Sequence, residues 1–184
     1  MREDQAVSSV ISVILMVAIA VILSTVVSVF VLDFTEDVDD PAPVVSDTTG
    51  EFMITPPGKS AGQNQIVQIT HDSGDGIDVN EIEIIVRASG PSLNTEARLV
   101  SLPASGGTID SSNIDGNEDL IDESAYADII VSDDPNRWSA GRTIQFRVAT
   151  GGADFRESGD ADELEVIIIH TESNAILSEH TFTP

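Results

Sequence analysis

The sequence predicts one long apolar α-helix at the N-terminus followed by an all-β sandwich of immunoglobulin-like type. Residues 7–32 contain no charged side chain, and the rest of the chain is built from short Ile- and Val-rich segments of period two. No second stretch has the length and 3.6-residue periodicity of a convincing helix. The expected boundaries are 1–6 for a polar leader, 7–34 for the hydrophobic helix, 35–49 for an acidic, proline-containing linker and 50–184 for the β-sandwich.

At about 1.5 Å per residue the uncharged run reaches roughly 39 Å, enough to cross a hydrocarbon layer of about 30 Å. Core helices of soluble proteins seldom exceed about 20 residues and usually carry a polar stripe. Here the polar interruptions are the hydroxyls of Ser8, Ser9, Ser12, Ser24, Thr25 and Ser28, which can bond back to their own helix. A cleaved secretory signal would show a basic leader and an apolar stretch of about 7–15 residues. This leader sets Arg2 against Glu3 and Asp4, and Val29-Phe30-Val31-Leu32 continues the apolar run up to Asp33. The segment is therefore expected to stay on the mature chain, in a membrane or another apolar surround. Arg2 is the only cation near either end of the span, which places the leader on the cytoplasmic side and the long remainder outside.

The net charge is -24, from 32 acidic against 8 basic residues, and Lys59 is the single lysine. Such a surface repels phosphates, which excludes nucleic acid as a partner and makes anionic lipid headgroups a poor one for the β region. Self-repulsion weakens the fold in dilute buffer, whereas at molar salt the Debye length falls to about 3 Å. The composition fits a salt-loving source. With no cysteine, neither disulfides nor thiolate metal ligands staple the domain.

Asp33, Glu36, Asp37, Asp39 and Asp40 precede Pro41 and Pro43, a composition that carries a helix end out of an apolar layer into an extended stem. Strands are expected at 64–70, 79–87, 97–102, 127–132, 143–149, 163–170 and 175–182. His71-Asp72-Ser73-Gly74-Asp75-Gly76 has turn chemistry and suggests a hairpin-like connection between the first two. The acidic insert 108–124 is the least determined stretch, with a short helix expected near 118–126.

No Gly-x-Ser-x-Gly, His-Glu-x-x-His or phosphate-binding glycine loop occurs, so neither an enzyme nor a cofactor is expected. Residues 111–122 place oxygen side chains and Gly116 at the spacing of a calcium loop, which makes Asn113, Asp115, Asp119 and Asp122 weak calcium candidates. Ser111 and Asp122 occupy positions where Asp and Glu are usual, and an acidic surface loop is the plainer reading. The segment 72–78 reads instead as a tight turn whose aspartates bond to backbone amides. Trp138 and Tyr126 are expected in the core with their polar atoms at the rim. His71 and His170 are expected to be partly buried with one satisfied nitrogen each. No Asn-x-Ser/Thr triplet is present, so N-glycosylation has no acceptor.

The run Ala6-Val7-Ser8-Ser9-Val10-Ile11-Ser12-Val13-Ile14-Leu15-Met16-Val17-Ala18-Ile19-Ala20-Val21-Ile22-Leu23, with the apolar tail to Phe34, resembles the N-terminal segment of archaeal type IV pilins, particularly those of halophilic archaea. Ser9 stands where that family usually has proline, Ser12 where it usually has glycine, and Gln5 where it usually has a basic residue. A weaker resemblance to pilin-type ectodomains continues at 68–78 and 166–170. The resemblance implies that the helix is transmembrane before assembly and filament-core after it. It also implies cleavage by the prepilin peptidase between Ala6 and Val7, which takes the charge from -24 to -23 because the leader holds Arg2, Glu3 and Asp4. The partners implied are other copies of the chain, other pilins, the pilus assembly ATPase and its membrane platform protein. Localisation would be the cell membrane with the domain outside, then the extracellular pilus, in an adhesive role. Val13, Val17, Ala20 and Ser24 recur at three- or four-residue intervals and form the candidate helix-packing stripe. The alternative is a membrane-anchored extracellular binding domain that does not polymerise. The missing glycosylation triplet favours a minor subunit or a protein not exposed along a major filament.

Overall fold

A computed structural model describes residues 3–36, 42–54, 65–102, 108–123, 129–131 and 134–184. The chain divides into two compact units, Met1–Asp40 and Pro41–Pro184. The first is the helix α1 (Glu3–Glu36), 34 residues long. No glycine or proline interrupts it, so nothing in the backbone forces a break.

The second unit is β-rich. Its strands are β1 (Val45–Ile54), β2 (Gln65–Gly74), β3 (Ile77–Asp78), β4 (Ile82–Ser89), β5 (Asn94–Leu99), β6 (Ile114–Gly116), β7 (Ile130–Val131), β8 (Arg137–Trp138), β9 (Thr143–Arg147), β10 (Glu163–His170) and β11 (Ile176–Phe182). They form a four-stranded sheet in the order β1-β2-β9-β7, a five-stranded sheet in the order β11-β10-β4-β5-β6, and the small pair β3-β8. All the pairings are antiparallel.

Period-two alternation sends one face of each main sheet into a common core. Val67 and Ile69 of β2 and Ile144 and Phe146 of β9 join Ile84 and Val86 of β4, Leu99 of β5 and Val166 and Ile168 of β10 in one buried cluster. At about 1.5–3 kcal/mol for each fully buried large aliphatic or aromatic side chain, this cluster is the main favourable contribution to the fold. The opposite face of the five-stranded sheet carries charge. Arg87 bridges Glu96 at 2.6 Å and Glu165 at 2.9 Å, and Arg98 meets Glu83 at 3.1 Å.

Two edge strands, β1 and β11, bring the main sheets together along a seam. Thr48 Oγ1 lies 2.8 Å from Ser178 Oγ and 3.0 Å from His180 Nε2, and further along the same strands the Phe52 and Phe182 rings are 5.8 Å apart. Residue numbers rise together on both strands, so they run in the same direction. Gly50 sits between these contacts, and a Cβ there would come within 2.7 Å of the His180 ring. No larger residue fits without displacing that ring.

Several expectations need correction. The segments expected to form a hairpin, 64–70 and 79–87, fall in different sheets: β2 pairs with β1 and β9, whereas β4 pairs with β10 and β5. The turn between them therefore crosses from one sheet to the other. The stretch 35–49, expected to be linker, is helical to Glu36, and β1 begins at Val45. Register shifts between Val45 and Asp47 and between Asp47 and Thr48 break the alternation that would have marked this strand. The strand expected at 97–102 lies at Asn94–Leu99, and the chain turns at Ser101, where φ is 47°. The helix expected near 118–126 is a single 3₁₀ turn, Glu118–Leu120, after which Ile121 bridges Val148. Tyr126 lies outside the described residues, as do residues 127, 128 and 132 of the strand expected at 127–132, whose described part holds β7.

Candidate functional site: the exposed apolar helix

Every residue of Val10–Val29 is exposed, and none of this span is buried within the chain. Apolar side chains point all round the helix, among them Val13 at 61 % and Met16 at 74 % exposure. Three of its hydroxyls turn back onto the helix: Ser24 Oγ donates to the Val21 carbonyl at 2.9 Å, Thr25 Oγ1 to Ile22 at 2.8 Å and Ser28 Oγ to Ser24 at 2.8 Å. A buried hydroxyl without a partner costs about 1–3 kcal/mol, and these three hydroxyls avoid that cost within the helix itself. The chemistry available to such a surface is insertion into hydrocarbon or packing against other apolar helices.

Residues 5–46 match the archaeal Type IV pilin N-terminal family. The chain thus has a pilin-like N-terminal region, and the match takes in the helix, the acidic stretch and the first two residues of β1. None of the curated proteins matches the chain. In this pilin-like helix Val13, Val17, Ala20 and Ser24 all lie exposed, within one narrow arc by the 3.6-residue repeat. Ala6 and Val7 lie on the helical backbone near its start.

The chain enters the β-rich unit through a turn that holds it from both sides. The Val44 N–H donates to Asp75 Oδ2 at 3.0 Å, and the Asp75 N–H donates to the Val44 carbonyl at 2.9 Å. Gly74, at φ 125°, brings the turn onto this segment. Fully buried His71 supports the turn from below, with Nε2 3.0 Å from the Asp75 carbonyl. Because a carbonyl only accepts, Nε2 carries the proton there. The His71 ring stands edge-on to Trp138 at 5.0 Å. Both His71 Nδ1 and Trp138 Nε1 are buried without a hydrogen-bond partner. Trp138 is thus a core residue as expected, but its nitrogen is in the interior and not at the rim. His170 is buried, with Nδ1 2.8 Å from Ser173 Oγ.

The calcium candidates do not converge. Asn113 spends its side chain as a local cap, accepting from the Asp110 N–H at 3.3 Å and donating to the Ser101 carbonyl at 2.7 Å. Asp115 sits in β6, where strand geometry straightens the path that a calcium loop would curl. Asp119 is on the following 3₁₀ turn, and Asp122 faces Arg147 at 3.7 Å. Among the described residues no three His, Cys, Asp or Glu side chains come together as a metal-holding set. Glu118, Asp119, Asp122 and Glu123 line a shallow acidic groove of about 350 Å³. At the other end of β1, Phe52, Thr181, Phe182, Thr183 and Pro184 line a groove of about 280 Å³.

Proposed function

We propose that this protein is a structural subunit, major or minor, of an archaeal type IV pilus-like surface filament, with its β-rich unit displayed outside the cell in an adhesive role. The observation that carries this reading is a helix of filament-core length, exposed throughout Val10–Val29, in the region that matches the pilin family. Such a helix needs an apolar surround once it leaves lipid, and neighbouring copies supply one. Several hundred Å² buried per neighbour at roughly 25 cal/mol per Å² gives on the order of 10 kcal/mol before association costs. Small residues such as Ser12, Ala18 and Ala20 let backbones approach closely.

In this reading the prepilin peptidase cuts between Ala6 and Val7, and the assembly ATPase and membrane platform protein move the mature chain from bilayer to filament. The two main sheets, feeding one core and meeting along β1 and β11, support an immunoglobulin-like sandwich as the outer domain. The charge of -24 supports a halophilic setting.

Mass spectrometry of sheared surface filaments tests the assignment. The expected result is a chain beginning at Val7, with Ala6→Leu accumulating as uncut precursor in the membrane because a larger side chain spoils a site that reads a small one. A protein that retains Met1, is absent from filaments and runs as a monomer in detergent would instead be a membrane-anchored binding domain.

A further inference from the structure

The geometry points to a mechanical role for the β-rich unit: we propose that it carries tension along β1, between Val44 and the end marked by Phe182 and Pro184. The inference rests on reading α1 as an anchor, in a filament or in a bilayer alike. Traction on that anchor reaches the second unit through the stem and arrives at Val44.

At Val44 the load meets two hydrogen bonds to Asp75, one through the backbone and one through the carboxylate, and Asp75 is itself tied to buried His71. Beyond it, β1 runs 10 residues, about 33 Å at strand rise, to the opposite end of the unit. Along that length it is laddered to β2 from Val45↔Gly74 to Ile54↔Gln65. On its other side it lies beside β11, bridged by Thr48 to Ser178 and His180 and by Phe52 to Phe182.

β1 and β11 run in the same direction, so a pull on the start of β1 opposed by a hold on the end of β11 slides one strand along the other. Sliding requires the Asp75 bonds, the β2 ladder and the Thr48 bridge to fail together. A pull between the start of β1 and the β10–β11 turn, which lies at the same end of the unit, opens the same contacts one after another. The fold is therefore strong in one direction and weak in another, and its strong direction starts where the stem delivers force. Asp75 and Thr48 are positioning residues for this arrangement.

The chain has no cysteine, so handles can be placed at will. Full-length protein in detergent, at molar KCl, is pulled between Ala42→Cys and Pro184→Cys, and separately between Ala42→Cys and Glu172→Cys in the β10–β11 turn. The expected result is a lifetime at fixed force about tenfold longer for the first pair, since forced unfolding follows the unfolding barrier. Thr48→Val keeps the β-branched shape and removes the bridging hydroxyl. It should shorten the lifetime about tenfold in the first geometry and by much less in the second, where the bridge is one contact in a sequence. Equal lifetimes in the two wild-type geometries, or a Thr48→Val effect of equal size in both, would overturn the proposal. Because force enters at Ala42, either outcome leaves the reading of α1 as an anchor standing.

Discussion

The backbone N–H of Phe155 donates to Oε1 of Gln65 at 2.7 Å, in the interior of the β-rich unit. The same amide group donates through Nε2 to the carbonyls of Ala153 at 2.7 Å and Val148 at 3.2 Å. One fully buried side chain thus ties the loop between β9 and β10 to the first residue of β2.

Gln65→Leu keeps most of the volume and leaves a buried N–H and two carbonyls with fewer partners. The expected loss is on the order of 2–4 kcal/mol, measured by urea unfolding of residues 41–184 at molar salt. A change below about 0.5 kcal/mol would show that water or a loop shift satisfies these groups instead.

Ala20→Asp separates filament packing from simple anchoring. Burying a carboxylate among packed helices costs several kcal/mol unless it is neutralised, and a single span this apolar tolerates it better than a dense helical core. The variant is expected in the membrane fraction and missing from sheared filaments. Wild-type levels of the variant in filaments would remove Ala20 from the packing stripe.

Salt should decide the stability of the β-rich unit. Most of its arginines already sit in ion pairs, as Arg87, Arg98, Arg137, Arg147 and Arg156 do, so the unmatched charge is negative and repels itself. The thermal midpoint of residues 41–184 is expected to rise steadily from dilute buffer to molar KCl, with a strand-dominated circular dichroism spectrum throughout. A midpoint indifferent to salt would count against charge repulsion as the cause.

His180 gives the unit a mild pH dependence. Burial lowers its pKa below the ordinary histidine value, and Asp72 pulls it partly back. The unfolded chain therefore takes up a proton at higher pH than the folded one. The stability that neutral His180 contributes is complete above about pH 6.5 and is lost as pH falls through the folded value. The expected observation is a midpoint lower at pH 5 than at pH 8, with part of that difference absent in His180→Gln. An identical pH profile for the two proteins would assign the effect to other groups.

The helix was legible because composition alone determines it: a long uncharged run has few other solutions. β10 was legible to the residue, since Glu163–His170 is bounded by turn residues and holds a dense aliphatic run. β1 was not, because its half-buried residues are separated by Asp47 and Glu51 and its register shifts hide the period. The two-residue strands β3 and β8 are too short to show any period. Pairing was the least legible feature, since β2 finds β9 and β4 finds β10 across most of the domain, and no local signal records it. The turn chemistry of 72–78 was readable, but not that Asp75 would bond to Val44, 31 residues earlier. Gln65 read as an ordinary polar strand end, and its role appears only once the β9–β10 loop folds over it. The calcium-like spacing at 111–122 was real as a spacing. The backbone there enters a strand at Ile114–Gly116, which the spacing alone does not record.

Ser24, Thr25 and Ser28 satisfy their hydroxyls within α1, and so they present neighbours with small volume and no direction. Azimuth along Val10–Val29 is then marked by side-chain volume alone, as on the stripe Val13, Val17, Ala20 and Ser24. Such steric marking is coarse, and the fine phase of packed copies is left to be fixed elsewhere. That task passes to the outer unit, where charge and shape differ from one face to the next. In an assembly of this chain, cohesion and order would then be encoded in separate parts of the sequence, and each could change without rewriting the other.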